Sequence, residues 1–222
     1  MLALLDRGIA SAAVSLRGHG GSQGTEHLQR YRIEHYVEDV LQTLGTLVRP
    51  VTLIGHSMGG LVCQLAAARA NVRRLVLIAP SPVRGMRRDG MRMVFRHPYT
   101  FLCAFLQRSF LRLYRKPRAL RSLLFHASTP ETVIADAANI LVEESWRAGN
   151  EMNTILPDPA QIRCPVIILG GAEDFMVSPA SIELTALAYN VEPVFVPASG
   201  HMIQSEISAS RLAGLLQPYL TD

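Results

Sequence analysis

The stretch Val51-Thr-Leu-Ile-Gly55-His56-Ser57-Met58-Gly59-Gly60-Leu-Val-Cys-Gln-Leu-Ala-Ala-Ala68 decides the fold. Its first four residues read as a short buried strand, and Met58–Arg69, rich in alanine, as a helix. Between them lies a G-x-S-x-G pattern. A serine on so sharp a strand-to-helix turn has a strained backbone, and bulky neighbours two residues away would collide with it, which is the mechanical reason for glycine at Gly55 and Gly59. The turn lifts the hydroxyl clear of the sheet while the new helix aims its free N–H groups at the same spot. The uncharged run from Pro50 to Ala68 has the length of a membrane span. Its three glycines, with His56 and Ser57, fit a strand entering a helix better than a lipid-facing segment.

Working outward, periodicity predicts strand–helix alternation with one interruption. On the N-terminal side, Leu2–Arg7 reads as a helix end stopped at Gly8 and Ile9–Leu16 as a strand. Arg17-Gly-His-Gly-Gly-Ser22 follows as a glycine-rich loop, and Ile33–Val48 has one apolar helical face. On the other side come the strand Leu75–Ala79, the strand Val166–Gly170, a helix near Pro179–Tyr189, the strand Val194–Val196 and a last helix from about Glu206 to Leu220. This alternation predicts an α/β fold, a mostly parallel sheet flanked by helices, built from residues 1–80 and 163–222. Residues 81–162 lack strand signals and read as a helical cap. In it Arg108, Arg112 and Arg115 fall on one helical side, and a second helix, Pro130–Trp146, has Thr129 as its N-cap.

A nucleophilic serine needs a base, and the base an orienting carboxylate. Loops after the later strands supply both: Asp174 in Gly170-Gly-Ala-Glu-Asp-Phe, and His201 in Ala198-Ser-Gly-His-Met. The chain order Ser57, Asp174, His201 is the one the turn motif predicts. Glu173 adjoins Asp174 and is the competing carboxylate, although the spacing from Gly171 favours Asp174. His56 reads as a packing neighbour of the serine, His19 as a loop histidine satisfied by backbone, and Asp39 as a local cap or pair within its helix. No metal-ligand spacing, phosphate loop or cofactor motif stands out.

The chain has 222 residues, of which 49% are hydrophobic and 18% charged, so an ordinary core forms and wholesale disorder is excluded. Its charge is uneven. Residues 84–121 hold eleven of the 22 basic residues against the single acid Asp89, a segment charge of +10 that leaves −6 for the rest. A protein built around nucleic acid would carry basic surface throughout, so no nucleic-acid partner is expected. The insert reads either as a solvated face or as a lid drawn to an anionic lipid surface or acidic substrate, with Phe95, Phe101, Phe105, Phe110 and Tyr114 as its apolar side. Three widely spaced cysteines give no disulfide framework and fit a reducing, cytoplasmic location. Met1-Leu-Ala-Leu-Leu-Asp-Arg is too short and wrongly charged for a signal peptide.

These motifs resemble those of the α/β-hydrolase superfamily, in its esterase/lipase-like branch with a helical lid. The Arg17-Gly-His-Gly-Gly-Ser22 loop and the strand Pro165-Val-Ile-Ile-Leu-Gly-Gly171 are similar to family segments. The resemblance implies Ser57 as nucleophile, His201 as general base and then acid, Asp174 as orienter, and the Met58 N–H as one oxyanion donor. It implies cleavage of carboxylic esters through an acyl-enzyme without a cofactor, on a small-molecule ester with a hydrophobic acyl chain such as a monoacylglycerol or lysophospholipid. Thioesterase, lactonase, acyltransferase, carbon–carbon hydrolase and cofactor-free haloperoxidase chemistries use the same triad.

In the family a further central strand, with a loop giving the second oxyanion N–H, precedes the helix that here begins at Met1. Three expectations compete: Met1 is an internal methionine or the chain a fragment; Ile9–Leu16 pairs directly with Val51–Ile54 in a sheet of about five strands; or the fold survives as a binding module with a basic, membrane-associating lid.

Overall fold

A computed structural model describes residues 1–221. A short helix, α1 (Leu2–Leu5), ends in a turn at Gly8, whose φ of 73° suits glycine. After a 3-10 turn at Thr25–Arg30 comes α2 (Ile33–Gly45), which buries Ile33, Tyr36, Val37 and Val40 at helical spacing. Then follow β1 (Thr52–His56), α3 (Met58–Ala67) and β2 (Arg74–Ile78). Six helices separate β2 from the next strand: α4 (Arg87–Arg96), α5 (Pro98–Gln107), α6 (Leu111–Tyr114), α7 (Pro117–Leu124), α8 (Glu131–Ile140) and α9 (Trp146–Glu151). Alternation resumes with β3 (Val166–Gly171), α10 (Pro179–Ala188), β4 (Val194–Val196), α11 (Ile203–Glu206) and α12 (Ala209–Leu220).

The four strands form one parallel sheet in the order β1-β2-β3-β4, with Gly55 opposite Leu77 and Leu77 opposite Ile168. Parallel strands are covered on both faces, so Leu75, Val76, Leu77, Ile168 and Leu169 are fully buried. Val76, Ile78, Leu169 and Val196 pack toward α11 and α12. Leu75, Leu77 and Ile168 share one hydrophobic cluster with Met93, Leu113, Leu120 and Ile134 of the inserted helices. The insertion is thus continuous with the core of the sheet.

Five expectations need correction. Ile9–Leu16 is not a strand: it runs without regular structure, mostly exposed, and does not pair with β1, which among the described residues is an edge strand bonded to β2 alone, so the sheet has four strands and not about five. Arg112 and Arg115 do not share a helix with Arg108, which ends α5 in the left-handed region at φ 48°, while Pro98 and Pro117 each open a new helix. Thr129 does not cap α8. The N-cap position falls to Pro130, and the Thr129 hydroxyl donates instead to Glu206. α8 stops at Ile140, short of Trp146: Leu141 turns to extended backbone at ψ 128°, and the Glu143 carboxylate beyond it accepts from the Phe110 and Leu111 N–H groups at the start of α6. The last helix is likewise two, α12 being restarted by Ser208, whose hydroxyl accepts from the Arg211 N–H. Among the described residues no helix is long and apolar enough to cross a membrane.

Candidate active site

Ser57 sits between β1 and α3 with φ 52° and ψ −122°, a conformation that non-glycine residues rarely adopt and that costs about 1–3 kcal/mol. Its own backbone is fixed on both sides. The Ser57 N–H donates to Ile78 (3.1 Å), and its carbonyl accepts from Gly60 (2.9 Å) and Ser81 (3.0 Å). A Cβ at Gly55 would lie 2.5 Å from the Gly59 carbonyl oxygen, and one at Gly60 would lie 2.8 Å from Pro80. Gly59 has open space around it. The steric need therefore rests on Gly55 and Gly60, whereas the motif alone pointed to Gly55 and Gly59. Among the described residues neither the Met58 nor the Gly59 N–H meets a protein acceptor, so both face outward from the start of α3.

His201 Nε2 lies 2.9 Å from Ser57 Oγ, and His201 Nδ1 lies 2.8 Å from Asp174 Oδ2. A carboxylate only accepts, so Nδ1 carries the proton and Nε2 is free to accept from the serine hydroxyl. The other Asp174 oxygen accepts from the Met176 (2.7 Å) and Val177 (2.9 Å) N–H groups, which locks the carboxylate. Asp174 and His201 are both 2% exposed, so water does not compete for this chain of bonds. Glu173 is turned away from His201. Its N–H donates to the Ser199 carbonyl, and its carboxylate accepts from the Ser199 N–H at 3.3 Å. Of the two adjacent carboxylates, Asp174 meets the histidine and Glu173 holds the loop that carries it.

That loop fits by virtue of two glycines. A side chain at Gly171 would strike the Ser199 and Gly200 carbonyls, and one at Gly200 would strike the backbone of Leu124–His126. Glu206, which sequence reasoning missed as a site residue, gathers three donors: the N–H groups of His126 (2.5 Å) and Gly200 (2.6 Å) and the Thr129 hydroxyl (2.7 Å). The signal available was Ser208, a helix-starting serine that separates Glu206 from the final helix. His56 packs its ring 4.8 Å from that of His201, and its Nε2 lies 3.0 Å from the His201 carbonyl oxygen. Burial, and secondarily the neighbouring His201, push the His56 pKa down to about 3. It therefore stays neutral and donates to that carbonyl, a packing neighbour with a defined hydrogen bond.

Asp39 pairs at long range rather than locally. It accepts from the Arg17 N–H (2.8 Å) and from two guanidinium nitrogens (2.8 and 2.6 Å), fixing the glycine-rich loop to α2. His19 has one backbone partner, Arg17 O, but its Nε2 also lies 3.1 Å from Glu144, tying the same loop to the insertion. The hydrogen bond to Glu144 raises the His19 pKa against the opposing effect of burial. A histidine with a raised folded-state pKa contributes stability that is complete below its unfolded pKa of ~6.5 and is lost as pH rises through the folded value. His19→Ala is accordingly expected to cost about 0.5–1 kcal/mol more at pH ~5.5 than at pH ~8.5, measured by urea unfolding at both.

Two surface concavities, about 770 and 400 Å³, lie elsewhere: the first against Trp146 and Arg108, the second against Arg84 and Ser181. Among the described residues no group of three or more His, Cys, Asp or Glu side chains is arranged to hold a metal ion.

Residues 1–213 match the model of the alpha/beta hydrolase family. The chain belongs to that family. A 71-residue stretch is 37% identical to a Mycoplasma pneumoniae protein provisionally named esterase/lipase 2; it covers 31% of this chain and only 26% of that protein. Among solved structures, an Arabidopsis methylesterase has a TM-score of 0.70 at 18% identity, with 98% of this chain and 90% of that one covered. An esterase from Thermogutta terrifontis gives 0.66 at 23%, covering 92% and 77%. A bacterial membrane phospholipase A gives 0.64 at 22%, covering 92% and 67%. At these identities the structural neighbours share the α/β-hydrolase fold, and the alpha/beta hydrolase assignment rests on the family match.

Proposed function

We propose that this alpha/beta hydrolase cleaves carboxylic esters through Ser57, His201 and Asp174, with residues 81–162 as a cap over the site. The observation that carries the reading is the unbroken chain Ser57 Oγ–His201–Asp174, with both links under 3 Å and its inner two members buried. Ser57 Oγ attacks the ester carbonyl as its proton passes to His201 Nε2, and Asp174 stabilises the imidazolium without taking the proton. The negative charge on the former carbonyl oxygen is met by the Met58 N–H at the start of α3. Collapse expels the alcohol, which leaves with the proton from His201. Water, deprotonated by His201, then attacks the acyl-serine, and the acid departs as Ser57 regains its proton.

Choice of an ester is supported by the family and by the sequence match to the Mycoplasma protein. A hydrophobic acyl group is supported by the apolar side chains beside the triad, where Met176, Met202 and Phe125 belong to one cluster. The test is intact-mass analysis after treatment with a fluorophosphonate. One adduct per chain, absent from Ser57→Ala, is expected. Labelling that persists in Ser57→Ala, or a native chain that neither labels nor turns over p-nitrophenyl esters, overturns the reading.

A further inference from the structure

We propose that the outer face of α4 and α5 docks on an anionic phospholipid bilayer. Inward, these helices bury Met93, Thr100 and Ala104. Outward they present a second apolar surface, which the core does not use. Met91 and Phe95 lie one turn apart on α4, and Tyr99, Leu102 and Leu106 follow at helical spacing on α5. Phe95 is 78% exposed and Leu106 71%, more than any packing requirement explains. So many exposed apolar side chains on two consecutive helices point to an interaction site.

The charge around it selects the partner. Of the eleven basic residues in 84–121, Arg92 pairs with Asp89, Arg121 with Glu131, and Lys116 lies 4.7 Å above the Tyr99 ring. The others, Arg88 and Arg96 among them, meet no acid among the described residues. A second copy of the chain would set one uncompensated positive field against another, so self-association is disfavoured. A polynucleotide would meet the arginines but has no counterpart for the aliphatic stripe. A bilayer with anionic headgroups satisfies both, acyl chains receiving Phe95, Leu102 and Leu106 while phosphates meet the arginines. Beside Met91, at one end of the stripe, the 400 Å³ concavity is rimmed by Arg84, Arg87 and Arg88, a cradle for one headgroup phosphate.

The face is also rigidly joined to the loop that holds Asp174. Asp89 of α4, 1% exposed, accepts from the Ser178 hydroxyl at 2.7 Å, and the Arg92 guanidinium stacks 4.8 Å from the Phe175 ring. A docked protein would therefore hold its triad at a fixed position relative to the membrane.

Docking does not depend on ester cleavage, and the test separates the two. Ser57→Ala protein is sedimented with phosphatidylcholine vesicles and with phosphatidylcholine–phosphatidylglycerol vesicles at low and high salt. Sedimentation with the anionic vesicles alone, reversed by salt, is expected. Phe95→Ser/Leu102→Ser/Leu106→Ser should weaken binding at least tenfold, and Arg88→Gln/Arg96→Gln by about 25-fold, about fivefold per basic residue lost, with melting temperatures unchanged because all five side chains are at the surface. The proposal fails if neither vesicle binds, if both bind equally, or if the variants bind like the parent. It fails equally if light scattering finds a dimer that the triple serine variant dissociates and no vesicle binding accompanies it.

Discussion

Asp174→Asn is expected to lower ester turnover by about 10⁴-fold while leaving the fold intact. The argument is one of proton placement. Asp174 Oδ2 receives the His201 Nδ1–H, while Oδ1 receives the Met176 and Val177 N–H groups. An asparagine keeps its carbonyl oxygen where two backbone donors already require an acceptor, so its amide NH2 is turned toward His201. The ring must then offer a lone pair at Nδ1 and carry its proton on Nε2, opposite the Ser57 hydroxyl. The base is lost through the wrong tautomer, and no packing is disturbed. Stability should change by less than about 1 kcal/mol, and fluorophosphonate labelling should slow in parallel with turnover. Glu173→Gln is the control, since a glutamine oxygen can still accept from Ser199. Less than about a tenfold loss is expected there. A reversal of the two effects, with Glu173→Gln the more damaging, would transfer the orienting role to Glu173.

This pair of carboxylates marks how far the sequence could be read. Spacing from Gly171 favoured Asp174 over Glu173, and it is Asp174 that lies 2.8 Å from His201 Nδ1; the strand end and the short loop after it are local features. The same holds for β1, β2 and β3, whose apolar runs announce themselves over a few residues, and for Gly55 as a point of close backbone approach. What stayed hidden is long-range. Ile9–Leu16 has the apolar content of a strand, but strandhood needs a neighbour, and no window of sixteen residues contains one. Asp39 looks like a local helix acid until Arg17, 22 residues away, is seen to wrap it. The insertion misled differently: its breaks at His97–Pro98 and Lys116–Pro117 were written in the two prolines, while the one at Arg108 had no such mark, and the continuous run of apolar and basic residues masked all three.

Glu206 is the clearest case of a residue that only the folded chain explains, and removing it should both destabilise the protein and slow the reaction of Ser57. It accepts from Gly200 beside His201, and from His126 and Thr129, 80 and 77 residues earlier in the chain. One carboxylate therefore pins the histidine loop to the insertion. Glu206→Ala leaves three donors without an acceptor in a partly buried site, each worth about 1–3 kcal/mol. Because water reaches a partly buried site, the lower end of that range applies, a total loss of about 3–5 kcal/mol, lowering Tm by about 6–20 °C for a chain of this size. A second effect should survive cooling. With Gly200 released, His201 no longer meets Ser57 at a fixed distance, and labelling well below Tm is expected to slow by about 10²-fold, the scale of a 1 Å misplacement. Glu206→Gln should fall between, because one of its two terminal atoms becomes a donor facing another donor. Thr129→Val separates positioning from stability. It deletes one of the three donors and leaves the Gly200 contact in place, so it should cost about 1 kcal/mol without slowing the labelling of Ser57. If Thr129→Val and Glu206→Ala slow labelling only in proportion to their loss of stability, Glu206 acts as a brace and does not position His201.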